Sequence, residues 1–172
     1  MKNVLWTAEL FTMLVPGILQ AQQQVVDRRG WVSANLGIMT PDFVAWGINY
    51  NFGRKILYQV GLSGAEEFTL SSSVPASSMT SLNVSRGLGS LGRYHALALF
   101  GGLSVGLVDI DEWDRYDPPR ATVGLYGNAQ ATLHPFRYFG IGIELYGYLN
   151  SVLSGAGIGV ALMFGGKGPS VS

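Results

Sequence analysis

Tyr138-Phe139-Gly140-Ile141-Gly142-Ile143-Glu144-Leu145-Tyr146-Gly147-Tyr148-Leu149 decides the fold. Phe139, Ile141, Ile143 and Leu145 share one parity; Gly140, Gly142, Glu144, Tyr146 and Tyr148 share the other. A period of two belongs to a strand whose successive side chains point to opposite faces. One face of this strand is hydrocarbon. The other is small or aromatic-polar and carries a carboxylate.

The same design repeats outward from this stretch. Val32, Ala34, Leu36 and Ile38 alternate with Trp31, Ser33, Asn35 and Gly37 over 31–39. Val44, Trp46, Ile48, Tyr50 and Phe52 oppose Ala45, Gly47, Asn49 and Asn51 over 43–52. A third strand is expected from Lys55 to about Leu70, with Tyr58, Val60 and Leu62 against Gln59, Gly61 and Ser63. A fourth is expected over 79–88, with Leu82 and Val84 against Ser81, Asn83 and Ser85. Leu97, Leu99, Leu103, Val105 and Leu107 define the apolar face of 94–108. Val123, Leu125, Ala129 and Ala131 do the same for 121–133, opposite Thr122, Tyr126, Asn128, Gln130 and Thr132. Ile158, Val160, Leu162 and Phe164 close the series over about 153–164.

Eight strands of about ten residues match the number and length expected of the smallest membrane barrels. The fold class expected is therefore all-β, an eight-stranded antiparallel up-and-down transmembrane barrel. Gly53-Arg54, Gly89–Gly92 and His134–Arg137 read as short reversals at one end. The Ser-rich stretch 71–78 and the charged stretch 109–119 read as longer loops at the other. Short turns on the periplasmic side and longer loops outside are the asymmetry of bacterial barrels.

Composition points the same way. Charged residues are 13% of the chain and hydrophobic ones 48%, with 24 glycines among 172 residues; soluble domains average about 25% charged. The net charge of zero provides no basic field for nucleic acid. With no cysteine there is no disulfide, thiolate zinc site or cysteine nucleophile. Lys2, the apolar run Val4–Leu19 and the small residue Ala21 read as an export signal over 1–21. Residues 22–29 then form a periplasmic lead-in, 30–164 the barrel and 165–172 a C-terminal tail.

Over residues 30–164 the chain resembles the small OmpA/OmpX-type outer-membrane barrels and, more loosely, the small barrels of Bacteroidota-like bacteria. Val160-Ala161-Leu162-Met163-Phe164, a last strand ending in an aromatic, looks like the assembly signal of that class. The resemblance implies residence in the outer membrane and contact with its lipids and lipopolysaccharide. Small residues on the apolar face (Ala129, Ala131, Gly147, Ala156) would let a second outer-membrane protein approach closely.

The enclosed face supplies the candidate site. Glu144, Tyr126, Tyr146, Asn128 and Gln130 are expected to form a polar network in the lumen. A buried carboxylate needs a partner, and Arg86 is the first candidate, with the Tyr126 hydroxyl or Lys55 behind it. Strict alternation puts Arg86 on the apolar face with Leu82 and Val84, so reaching Glu144 requires a bulge near Gly87; the alternative is that it snorkels. Trp31, Tyr50, Phe52, Tyr138 and Phe139, near strand ends, are expected to form an interfacial aromatic girdle.

Other motifs carry less. Gly87-Leu88-Gly89-Ser90-Leu91-Gly92 has dinucleotide-fingerprint spacing but no helix follows it, so it reads as a flexible turn. Gly102-Leu103-Ser104-Val105-Gly106 has nucleophile-elbow spacing, yet Ser104 sits inside an alternating run. The acidic stretch 109–114 lacks the glycine and downstream glutamate of a calcium hand. No metal and no cofactor is expected. The function expected is non-enzymatic: an envelope protein or an accessory subunit of an outer-membrane complex. The alternatives are a lipid A-modifying barrel, which needs His, Ser and a carboxylate gathered near the outer leaflet, and a soluble lipocalin-like binder, which needs hydrophobics inside.

Overall fold

The computed structural model describes residues 30–53, 56–68, 77–92, 94–109, 119–136 and 138–165. The expected export signal, the lead-in, most of the two long loops and the tail beyond Gly165 lie outside these residues. Eight strands follow in order: β1 Trp31–Met39, β2 Phe43–Gly53, β3 Leu57–Glu67, β4 Ser78–Leu91, β5 His95–Asp109, β6 Arg120–Phe136, β7 Phe139–Leu149 and β8 Gly155–Phe164. Each pairs antiparallel with the next, and β1 pairs with β8 from Val32↔Phe164 to Met39↔Gly157, so the sheet closes on itself. Closure leaves no strand edge to be capped. Three connections (54–56, 92–94 and 137–138) lie at what we term the turn end. The other four, including 68–77 and 110–119, lie at the loop end.

Side-chain parity is kept around the wall. Leu36, Ile48, Leu62, Leu82, Val84, Leu99, Leu103, Val123, Leu125, Ile141, Ile143 and Val160 are all exposed on the outside. Ser33, Asn49, Asn51, Gln59, Ser81, Asn83, Asn128, Gln130 and Glu144 are buried inside. The hydrocarbon forms a continuous outer band, whereas soluble monomers seldom expose contiguous apolar patches beyond a few hundred Å².

β3 is shorter than the expected Lys55 to about Leu70, running Leu57–Glu67. The strand ends differ from the sequence reading in three further places, each with a local cause. β4 continues to Leu91, so Gly87–Leu91 is strand and not turn. β4 and β5 approach closely there: a side chain on Gly87 would run into the Leu99 carbonyl oxygen. The reversal is confined to 92–94, where the Gly92 N–H donates to the His95 carbonyl at 2.8 Å. β6 continues through His134 and Pro135 to Phe136, because the β6–β7 register shifts between Leu133 and Phe136. A bulge accommodates a residue without an N–H. β8 begins only at Gly155, because the Asn150 Oδ1 accepts the Val152 and Leu153 N–H groups at 2.8 and 2.7 Å and folds 150–154 into an Asx-type turn.

The lumen is layered. At the turn end Trp31, Leu57, Ala96, Ala98, Phe100 and Met163 pack together. At the loop end Met39, Phe43, Ala45, Ala65, Met79 and Val108 pack with the rings of Tyr126, Tyr146 and Tyr148. The buried amides and Glu144 occupy the level between these two apolar layers, while Thr132 and His134 lie near the turn end and Thr122 near the loop end.

Candidate functional site: a hydrogen-bonded circuit in the lumen

Glu144 projects inward from the middle of β7 and is 0% exposed. Its Oε1 accepts from Asn128 Nδ2 at 2.7 Å and its Oε2 from Gln130 Nε2 at 3.2 Å. Both donors stand on β6, two residues apart, so they share the inner face, and Gln130 is the register partner of Glu144. The Asn35 side chain on β1 also lies against the carboxyl group.

From the donors the bonding crosses the barrel. Asn128 Nδ2 is also 2.9 Å from the Tyr126 hydroxyl and 3.2 Å from Gln59 Oε1 on β3. Gln59 Nε2 donates to Asn51 Oδ1 at 2.8 Å, and Asn51 Nδ2 to Ser33 Oγ at 3.0 Å. Gln130 Nε2 is 3.3 Å from the same Ser33 Oγ, which returns the path to Glu144. The circuit Glu144–Asn128–Gln59–Asn51–Ser33–Gln130 thus ties β7, β6, β3, β2 and β1 together through the lumen. Because the two β6 amides turn their N–H groups to the carboxyl, Asn128 Oδ1 and Gln130 Oε1 are left without partners among the described residues.

A second cluster lies nearer the loop end. Tyr148 hydroxyl donates to Ser63 Oγ at 2.6 Å, and Asn83 Nδ2 donates to the same oxygen at 2.6 Å. Ser81 Oγ lies 3.0 Å from Ser63 Oγ. Tyr126 and Tyr148 rings pack with centroids 5.1 Å apart, and Tyr146 hydroxyl reaches the Ile38 carbonyl at 3.2 Å. Tyr146 therefore sits beside the circuit rather than in it.

Arg86 is not part of this network. β3–β4 and β4–β5 registers run unbroken past it, so no bulge turns it inward, and its side chain is exposed on the outer wall. Arg120, the other described Arg or Lys, is also exposed. Amide dipoles, not a cation, face the Glu144 carboxyl among the described residues, and Lys55 lies outside them. Ser33, Asn51 and Gln59 were placed inside by alternation, but nothing local in the sequence signals that they meet Gln130 and Asn128. That meeting depends on how the strands tilt and stagger as the sheet closes.

The aromatic girdle needs one correction. Trp31 is 2% exposed and plugs the turn end of the lumen with Leu57 and Met163. Its parity, shared with Ser33, outweighs its position at a strand end. Tyr50, Phe52 and Tyr58 do form a ladder on the outer wall, with successive centroids 5.6 Å apart. Phe139 packs on Phe164 at 5.5 Å, and Tyr94, Phe136 and Tyr138 are exposed nearby. These aromatics collect at the turn end.

The tempting motifs do not assemble. Ser104 is a buried inward residue within β5. His134 is buried at the turn end, 3.2 Å from Thr132 Oγ1, and His95 is exposed at the same end. Asp109 ends β5 at the opposite end. Among the described residues no group of three potential metal ligands converges.

A closed eight-stranded meander with an apolar exterior and a side-chain-filled polar interior is the architecture of the small transmembrane barrels. The chain is similar in structure to several of them. The N-terminal β-barrel domain of Pseudomonas aeruginosa OprF matches with a TM-score of 0.57 at 16% identity, over 82% of this chain and 98% of that one. Neisserial surface protein A matches with a TM-score of 0.58 at 9% identity, over 79% and 95%. The attachment invasion locus protein Ail of Yersinia pestis matches at 0.53 and 13% identity, over 80% and 98%. No protein-family model and no curated protein sequence matches the chain.

Proposed function

We propose that the protein is an integral outer-membrane barrel without enzymatic activity, serving the envelope as a structural protein or as an accessory subunit of a larger complex. The observation that carries this reading is the division of the wall: an apolar band outside, interrupted among the strands' described outward residues by Arg86, and a hydrogen-bonded polar circuit enclosed between two apolar layers inside. Water would penalise that exterior, whereas acyl chains match it. A lipocalin-like binder would need the opposite arrangement. Export through a cleaved signal over 1–21 follows from the same reading.

The non-enzymatic part is supported by the scatter of the catalytic residue types. Both described histidines are at the turn end, taken as periplasmic, whereas a lipid A-modifying site needs its histidine near the outer leaflet. The lumen circuit works as a brace between strands, holding a carboxyl with amide donors alone. The test is fractionation with gel migration before and after heating. The protein should pellet with outer membranes and run faster unheated; a soluble periplasmic pool would sink the reading. Lipid A from a deletion strain should be unchanged in mass.

A further inference from the structure

Arg86 stands on a wall of hydrocarbon. Leu82, Val84 and Leu88, its parity mates on β4, are exposed on the same outer face. Its cross-strand neighbours are Tyr58 on β3 and Gly101 on β5, neither of which is acidic. Tyr58 belongs to the aromatic ladder at the turn end and is the second residue of β3, whereas Arg86 is the sixth residue of β4 from that end, so its long side chain has the ladder as its nearest polar level. Its guanidinium is within reach of a lipid headgroup by snorkelling.

On its other side the hydrogen-bonded row continues Gly101↔Gly127↔Gly147. A side chain on Gly101 would meet nothing within 4 Å, and the nearest atoms at Gly127 and Gly147 would be 3.6 and 3.5 Å away. The outer wall therefore has a furrow beginning beside Arg86, about 14 Å long at ordinary strand spacing. Counted from the turn end, Gly101 is the seventh residue of β5, Gly127 the tenth of β6 and Gly147 the ninth of β7, so the furrow lies on the middle of the wall.

We propose that Arg86 and Tyr58 hold the phosphate of an anionic phospholipid of the turn-end leaflet, with an acyl chain lying along the glycine furrow. The guanidinium offers paired N–H donors matched to phosphate oxygens, and the tyrosine hydroxyl supplies a third donor. A phospholipid headgroup carrying its own ammonium gains less from a lone cation than an anionic one. A second copy of this chain fits worse. Its described carboxylates Asp42, Glu66, Glu67 and Asp109 lie at the loop end and Glu144 is enclosed, so none would meet Arg86. This inference rests on the membrane reading above.

The experiment places the barrel in nanodiscs of phosphatidylcholine containing a minor fraction of phosphatidylglycerol, and counts retained lipids by native mass spectrometry. Insertion is checked first, for wild type and each variant, by heat-modifiable migration. Wild type should retain phosphatidylglycerol over phosphatidylcholine by roughly tenfold, the scale of one charge-assisted contact. Arg86→Gln should abolish the preference. Gly101→Leu should weaken retention of long-chain phosphatidylglycerol while sparing a short-chain form. Equal retention of the two lipids by wild type, an unaltered preference in Arg86→Gln, displacement by inorganic phosphate alone, or a dimer mass in place of lipid would each overturn the site. A chain that never becomes heat-modifiable refutes the membrane reading itself, and the site with it.

Discussion

Gly101 and Gly102 are neighbours in β5 and face opposite ways. A side chain on Gly101 would enter open space on the outside, whereas one on Gly102 would run into the Val84 carbonyl oxygen and lie 2.5 Å from Ser85 Cα. The contrast recurs around the wall: Gly127 and Gly147 are open outside, while Gly37 and Gly142 are blocked inside by the carbonyls of Ile158 and Ala131. Inward Gly37, Gly102 and Gly142 are thus set by the approach of neighbouring strands in a narrow barrel, and Gly47, Gly61 and Gly140 by inward side chains of the adjoining strand. Outward Gly101, Gly127 and Gly147 leave the surface free to be shaped for whatever lies against it, whereas Gly64 lies beneath the Trp46 ring. The sharpest break of this symmetry is Gly102→Val, for which no folded barrel should be recovered, because backbone and not a movable side chain obstructs it. Gly101→Val should refold with wild-type yield. Gel migration of unheated samples measures both.

The layers of the lumen form a second contrast, between apolar ends and a polar middle. Trp31 is the largest fully buried side chain and closes the turn end. Trp31→Ala should cost about 3–4 kcal/mol in denaturant unfolding, the ordinary penalty for a large cavity. In the middle, Glu144→Leu strands the N–H groups of Asn128 and Gln130 and should cost about 2–3 kcal/mol. Glu144→Gln should cost less than about 1 kcal/mol, because Gln130 can rotate and offer its unpartnered Oε1 to the new amide. Equal losses for Leu and Gln at this position would show that the circuit does not hold the carboxyl as described.

How much of this was legible in the sequence follows from what alternation encodes. Period two assigns each residue to a face, and that was enough for the eight strands, the apolar exterior and the inward position of Glu144, Asn128 and Gln130. It does not say which inward residues from distant strands share a level, so Ser33, Asn51 and Gln59 could not be joined to Glu144 in advance. It is also blind to chemistry that changes along a face. Trp31, Phe100 and Val108 are inward and apolar because the ends of the lumen must be sealed, while Ser104 between them is inward and polar. Turn residues misled at 87–91 and 134–136 for a related reason: glycine and proline report close approach and bulges as well as reversals.

Arg86 completes the comparison as the outer counterpart of Glu144. Each is an ionisable residue in the middle of a strand, one enclosed and held by amides, the other exposed beside Tyr58 and Gly101. If enclosure is what makes Glu144 structurally necessary, removing the outer charge should have the opposite sign. Arg86→Leu should stabilise the barrel in phosphatidylcholine vesicles by about 1 kcal/mol or less, since a cation on the lipid face costs only that near an interface and about 2–4 kcal/mol at midplane. The measurement is equilibrium unfolding in urea from vesicles of that single lipid, so that no anionic headgroup compensates the charge. A stabilisation of the midplane size would place Arg86 deep in the hydrocarbon rather than at the level of the tyrosine ladder. A loss of stability would mean that its guanidinium braces the wall and not the lipid.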